Sequence, residues 1–467
     1  MSEPNDQAAA AAPWRNWAGD QTCRPARRVA PASVEELSAA LLQANREGLR
    51  VRVAGAGHSF GDVALTDGAM ISLERMRAVL DVDASSGLVR VQAGITIHEL
   101  SRRLAAHGLA LENLGDIDVQ SIAGAISTAT HGTGARLGNI ASQVRALTLV
   151  LADGSLVRCS TEQDPELFRA ARVSLGSLGV VAEVTLQCVP AFTLRGVDAP
   201  APLAEVLDGF EQRALGNDHF EFFVFPHADV ALTRTNNRTD EPPRPRSRAS
   251  AYLNDIVLTN HVFGLLCRAG RRVPGAIPRL NRLVTTLAGS STRVDRSFEI
   301  FASPRLVRFT EMEYALPRER TPEAVRAVME MIPREGFAVP FPIEVRTVAP
   351  DDAMLSTAAG RESGFVAVHM YEGMEWRPYF EAVAEIMDGL EGRPHWGKRH
   401  FQTAAGLRPR YPDWDAFQAI RARLDPTGLF VNGWSERVLG PIGSAPGVPA
   451  PDSAGAPGAG QGSPPAA

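Results

Sequence analysis

The stretch VRVAGAGHSFGD, residues 51–62, runs an alternating strand into a glycine turn and sets a histidine, His58, at its tip. A phosphate-binding turn normally carries something small there. A dinucleotide fingerprint needs a third glycine three residues after the second, and then a helix. Gly55 and Gly57 fit, but position 60 is Phe60, and GDVALTDGAMISLERM (61–76) reads as loop and strand. The ordinary nicotinamide-binding fold is therefore a poor fit, and the histidine needs another reason to be there.

The flanks set the fold class. Upstream, SVEELSAALLQANREGL (33–49) places Ser33 as N-cap with Glu36 three residues on, a capping box, and Val34, Leu37, Leu41 and Leu42 on one apolar face. Downstream, AVLDVDASSGLVRVQAG (78–94) reads as strand, turn and strand. TIHELSRRLAAHGLAL (96–111) is a helix capped by Thr96 and ended by Gly108, and ALTLVLADGSLVRCS (146–160) is a hairpin around Asp153-Gly154. Up to about Val189 the chain is α+β, with strands in clusters rather than strict βαβ alternation. From about residue 190 to 394, long strands such as HFEFFVFP and VPFPIEVRTV mix with helices such as PEAVRAVMEMI, broken by the exposed loop RTDEPPRPRSRAS. A last helix, WDAFQAIRARLDP, precedes a Pro/Gly/Ala/Ser tail from Pro441 that cannot bury a core. The first dozen residues are alanine-rich and loose.

The whole chain has 467 residues, 45% hydrophobic and 22% charged, enough apolar material for a large core in two or three domains. A net charge of -5 gives no general reason to expect nucleic acid or an anionic membrane as partner. No apolar run reaches the length of a bilayer span, and the polar start lacks the basic region of a secretory signal. Cys23, Cys159, Cys188 and Cys267 form no CxxC pair, so no structural metal is expected; they read as buried free thiols in a cytoplasmic protein.

Three other stretches carry chemistry. SIAGAISTATHGTGARLG (121–138) is so short of side chains that backbone N–H groups could approach a pyrophosphate; tight packing of a crossover loop explains it as well. SLGSLGVVAEV (174–184) is a second glycine turn feeding a strand. In FPIEVRTVA (341–349), Glu344 and Arg346 share a strand face, which read alone suggests a surface ion pair. GRPHWGKRHF (392–401) adds His395, Trp396, Lys398 and His400; read alone it is a basic loop with a packing tryptophan.

Taken together and in order, WRNWAGDQ (14–21), GAGHSFGDVALTDG (55–68), GLALENLGDI (108–117), GAISTATHGTG (124–134), VSLGSLGVVAEVTLQCVP (173–190), EVRTVAPDD (344–352), RPHWGKRHF (393–401) and DPTGLFVNGWSERVLG (425–440) resemble the sugar-lactone and alditol oxidases of the vanillyl-alcohol-oxidase flavoprotein superfamily. The resemblance implies a two-domain flavoprotein. Residues 14–189 would be a PCMH-type FAD domain, 190–400 a cap with a large antiparallel sheet, and 401–440 a segment returning to the FAD domain. Residues 1–13 and 441–467 would be flexible ends. It implies FAD bonded through His58, with Ala54, Gly55, Ala56, Gly57 and Ser59 around the pyrophosphate. Ser121, Gly124, Ala125, Thr128, His131, Gly132 and Gly134 would hold the flavin from the crossover, and Gly176, Gly179 and Val181 from the later turn. Glu344 and Arg346 would hold and activate the substrate hydroxyl, and Lys398 would sit beside the flavin's pyrimidine edge. Gly115 matches the small residue that leaves oxygen a path, favouring an oxidase. The implied reaction is oxidation of an aldono-1,4-lactone by O2 with release of hydrogen peroxide. An alditol oxidase, or a lactone dehydrogenase with another acceptor, shares these residues. A flavin-binding module without turnover is the reading from a different class.

Overall fold

A computed structural model describes residues 13–443, apart from 248, 250, 251, 253–255 and 257–259. The expected loose start, save Pro13, and the tail beyond residue 443 lie outside the described residues.

The first half is built on two small sheets. A parallel sheet orders Arg27–Val29, Ala69–Ile71 and Val51–Val53, with the helix Val34–Arg46 crossing between its outer strands. That local βαβ unit departs from the expected clustering. A five-stranded antiparallel sheet runs Leu156–Ser160, Val144–Val150, Val180–Gln187, Leu88–Gln92, Val79–Asp83. Ser33 caps its helix as expected, but the Glu36 carboxylate accepts from the Ala32 N–H, so the capping box is one residue out of register. Leu37, Leu41 and Ala44 are buried, while Leu42 is exposed. SIAGAIS is not a bare turn: Ser121 caps a six-residue helix, Ile122–Ser127. Cys159, Cys188 and Cys267 are buried free thiols, and Cys23 is only half-buried.

The second half forms one eight-stranded sheet, antiparallel throughout: Ser291–Arg296, Thr193–Pro202, Val230–Thr239, His219–Val224, Ile343–Val348, Ser363–Tyr371, Phe309–Pro317, Arg393–Pro394. Period-two alternation decides which residues go to which face. Phe220, Phe222, Ile343, Val345, Val366, Val368, Met312 and Tyr314 pack against the helices Thr321–Glu335 and Arg377–Gly389. The alternate residues, Glu221, Glu344, Arg346, His369, Glu311 and Glu313, point the other way.

The halves are joined at the crossover and again where the chain returns. Around the crossover, the Gly134 N–H donates to Thr347 O (2.8 Å), the Thr133 hydroxyl donates to Phe220 O (2.5 Å), and the Thr347 N–H donates to the Thr133 hydroxyl (3.2 Å). The chain then returns: Leu407, Trp414, Phe417, Ile420, Phe430, Trp434 and Val438 share a core with Leu37, Val51 and Ile97. No helix among the described residues is long and apolar enough to cross a membrane.

Candidate active site

Two glycine-bearing turns and the N-terminus of the helix Ile122–Ser127 meet at the end of the strand Val51–Val53. Gly57 has φ +72°, Gly176 +64° and Gly179 +142°, conformations that side-chain-bearing residues avoid. A Cβ on Gly55 would fall 2.7 Å from Ser121 Oγ. The result is a cavity of about 250 Å³ with many small residues in its wall. It is lined by Ala54, Gly55, Ala56, Gly57, His58 and Ser59, by Ser121, Gly124 and Thr128, and by Gly176, Gly179 and Val181.

His58, Ser59, Gln120 and Thr128 also line a second cavity, of about 1170 Å³, between the first half and the large sheet. The histidine thus stands where the two spaces meet. Its ring stacks on Trp17, with centroids 5.1 Å apart, and the Trp17 N–H donates to Gly57 O (2.7 Å). The Phe60 N–H donates to Gly397 O (2.8 Å), tying the histidine turn to the HWGK loop, and Lys398 Nζ lies 5.1 Å from the Phe60 ring centre. Burial, with Lys398 adding to it, pushes the His58 pKa down to about 4. The imidazole is therefore neutral at ordinary pH.

The polar face of the sheet supplies the far wall. Arg346 is buried and surrounded by three carboxylates. Its Nε donates to Glu221 (3.0 Å), and its terminal nitrogen reaches Asp116 (2.5 Å) and Glu344. Arg305 reaches Asp116 at 2.6 Å, and Arg234 reaches Glu221 at 3.3 Å. Three carboxylates so close cannot all ionise freely. Burial would raise Asp116, yet Arg346 and Arg305 beside it hold it well below the usual carboxylate range. Burial raises Glu344 to about 8, Asp116 and Glu221 adding to the rise against the pull of Arg346. Glu221 is raised for the same reasons. Further along, Lys398 Nζ pairs with Glu311 at 2.6 Å. Burial would lower this lysine, but Glu311 and Glu313 hold it above its ordinary value. His369 bridges the two groups, its Nε2 lying 3.6 Å from Glu311 and 4.0 Å from Glu344.

The residues singled out in the sequence therefore divide into three sets. Twelve of them line the small cavity, as given above. Gly115, His131, Glu344, Arg346 and Lys398 line the large one, with His58, Ser59 and Thr128 shared. Ala125, Gly132 and Gly134 line neither. Ala125 is fully buried in its helix. A Cβ on Gly132 would meet Leu114 O at 2.1 Å, and Gly134 carries the N–H that binds Thr347. For these three, close packing is what the structure shows. The surface reading of Glu344 and Arg346 fails, because both are buried from bulk solvent and facing a cavity. Sequence reasoning passed over Trp17, Asp116, Glu221, Arg305, Glu311, Glu313 and His369. A signal existed for three of them: carboxylates alternate with apolar residues in HFEFFV and FTEMEYALP.

Comparison with known proteins agrees with this architecture. A family described as D-arabinono-1,4-lactone oxidase matches residues 184–438, and an FAD binding domain family matches residues 25–160. An L-gulono-1,4-lactone dehydrogenase of Mycobacterium tuberculosis is 51% identical over 92% of this chain and 99% of its own. An L-gulonolactone oxidase of Bos taurus is 37% identical over 91% and 98%. An alditol oxidase of a Streptomyces species is 33% identical over 89% and 96%. Among solved structures, the cholesterol oxidase of B. sterolicum superposes with a TM-score of 0.78, covering 91% of this chain and 96% of that one; at 18% identity it speaks to the fold alone.

Proposed function

Because the chain belongs to the D-arabinono-1,4-lactone oxidase family of FAD-dependent oxidoreductases, we propose that it oxidises a CH–OH group of an aldono-1,4-lactone, of the L-gulono or D-arabinono kind. The observation that carries this reading is Arg346, buried against three carboxylates and facing the large cavity.

The residues present fit FAD. The small cavity's glycine, alanine and serine positions let backbone approach a diphosphate, and His58 stands where it meets a space large enough for a ring system and a sugar. At the junction, Gln120 Oε1 is buried without a hydrogen-bond partner, an acceptor free for a ligand N–H or O–H. FAD, when bound, supplies the two-electron acceptor that no side chain can provide. We propose the covalent link on this basis: His58, held neutral, would offer its lone pair to a flavin methyl carbon that gives up a proton, the two electrons released passing to the flavin ring and then to oxygen.

The chain's own residues divide the remaining work. Arg346 is always protonated and stabilises negative charge growing on the substrate oxygen. Asp116 and Glu221 fix its guanidinium from two sides. Glu344, raised to about 8, accepts the hydroxyl proton in its ionised form and is a stronger base than an ordinary carboxylate. Lys398 keeps a positive charge at the ring-binding wall.

Oxygen is the acceptor proposed. Gly115, a residue without a side chain, lines the large cavity, and this supports the reading. The two electrons and two protons taken from the carbinol then leave as hydrogen peroxide. The dehydrogenase name of the 51%-identical relative favours a second reading, transfer to another acceptor. Peroxide release in air from gulono-, galactono- and arabinono-lactones, against xylitol and sorbitol, tests the proposal. Turnover with lactones that needs an added dye moves the reading to a dehydrogenase; turnover with alditols alone overturns the substrate.

A further inference from the structure

Arg52 lies in the strand that feeds the histidine turn, and it is buried (3% exposed). No carboxylate among the described residues forms an ion pair with it. Its guanidinium donates instead to backbone carbonyls from three separate segments: Val63 O (2.9 Å), Leu175 O (3.0 Å), Gly176 O (3.3 Å) and Phe430 O (3.0 Å). Burial lowers its pKa to about 10, Arg421 adding to the fall, so the group is charged at ordinary pH. A buried cation held by dipoles alone is costly until an opposite charge comes to it. Arg393 and Arg421 are also buried on backbone carbonyls, but neither lines either cavity. Arg52 lines the small one.

Two of the carbonyls it holds belong to that cavity's wall. The Ser177 N–H donates to Ser174 O (2.9 Å), closing a turn over Leu175 and Gly176. Both of these residues take left-handed conformations, φ +56° and +64°, which for leucine is strained. Both line the small cavity, and Arg52 binds the oxygens of both. A carbonyl oxygen left free in such a wall would repel an anion. Arg52 occupies the two oxygens and adds positive charge behind them. Through Val63 and Phe430 it also sets the loop after His58 and the returning segment against this turn.

We propose that Arg52 makes the small cavity a diphosphate site, by positioning the 174–177 turn and by serving as the buried counter-charge of the phosphates. This rests on the reading that FAD places its diphosphate in that cavity. Arg52 is a positioning residue, acting through the turn it holds.

The FAD-loaded His58→Ala protein, whose cofactor is exchangeable, provides the test. Diluted until part of its flavin is free, it reports release as a rise in flavin fluorescence. ADP should displace FAD at concentrations at least about tenfold lower than adenosine, which carries no phosphate. With Arg52→Met added, FAD should bind at least about tenfold more weakly, and ADP should lose its advantage over adenosine. A side chain that only held the fold together would weaken FAD binding without changing that ratio. Arg52→Lys keeps the charge but cannot span four carbonyls, and its ratio should fall between the two. An unchanged ratio in Arg52→Met, or in Arg52→Lys if only that variant folds, overturns the role of Arg52 and leaves the diphosphate site standing. ADP that displaces no FAD from the His58→Ala protein overturns the proposal together with the cavity's assignment to FAD.

Discussion

Glu344 and Arg346 sit two residues apart, yet their environments push them in opposite directions. Arg346 stays charged; Glu344 holds its proton until about pH 8. If Glu344 takes the hydroxyl proton, kcat/KM should rise with pH through about 8. Glu344→Gln should remove that rise and lower kcat roughly 10²–10⁴-fold. The same shift acts on stability. The folded state binds this proton between 4.5 and about 8 while the unfolded chain does not, so stability falls as pH rises across that window. The Gln variant should lose less stability over it, as urea midpoints taken at several pH values would show. His58→Ala should leave FAD in the supernatant after acid precipitation, where the wild-type protein keeps it in the pellet; colour released from wild type would end the covalent proposal. Of these residues, His58 was the most legible in sequence, because a histidine at the tip of a glycine turn breaks the pattern around it. Trp17 was not, since its stacking on His58 depends on a fold-back that no local pattern encodes.

The elements were legible by period and cap, and their partners were not. Alternation in IEVRTV places Glu344 and Arg346 on one face, but only register brings Glu311 opposite His369 and Glu313 opposite Ala367 on the neighbouring strands. The row of charges across four strands is a property of the sheet. Read strand by strand, each charged residue looks like a solvated face. The glycine turns show the converse. SLGSLG reads as a turn in sequence and is one, for a specific reason: Gly179 has φ +142°, and a Cβ there would stand 2.9 Å from Val150 O. Gly179→Ala should cost about 1–3 kcal/mol and reduce FAD retention, measurable as a lower melting temperature and a lower flavin-to-protein absorbance ratio. Ala125, Gly132 and Gly134 carry the same kind of small-residue signal and serve packing, so composition alone does not separate a ligand wall from a tight seam.

Over the whole chain, the halves are too interlocked to behave independently. The crossover binds two central strands of the large sheet, and the segment from Leu407 to Val438 completes the core of the first half. Thermal unfolding should therefore show one cooperative transition, and a chain ended before Trp414 should not accumulate as folded, FAD-binding protein. Net charge was the least informative global quantity. At -5 it says nothing of local clustering, while residues 256–294 concentrate six arginines without one acid. Averaging hid what a sliding count would have found. What ties the fold to its chemistry is Arg346, held by the sheet at the wall of the large cavity. Anaerobic mixing of the FAD-loaded protein with L-gulono-1,4-lactone, followed at the flavin absorbance band, tests that most directly. Wild type should bleach, and Arg346→Met, still yellow and folded, should bleach at least about 10²-fold more slowly. A wild-type protein that stays yellow with every lactone, or an Arg346→Met variant that bleaches at the wild-type rate, would contradict it.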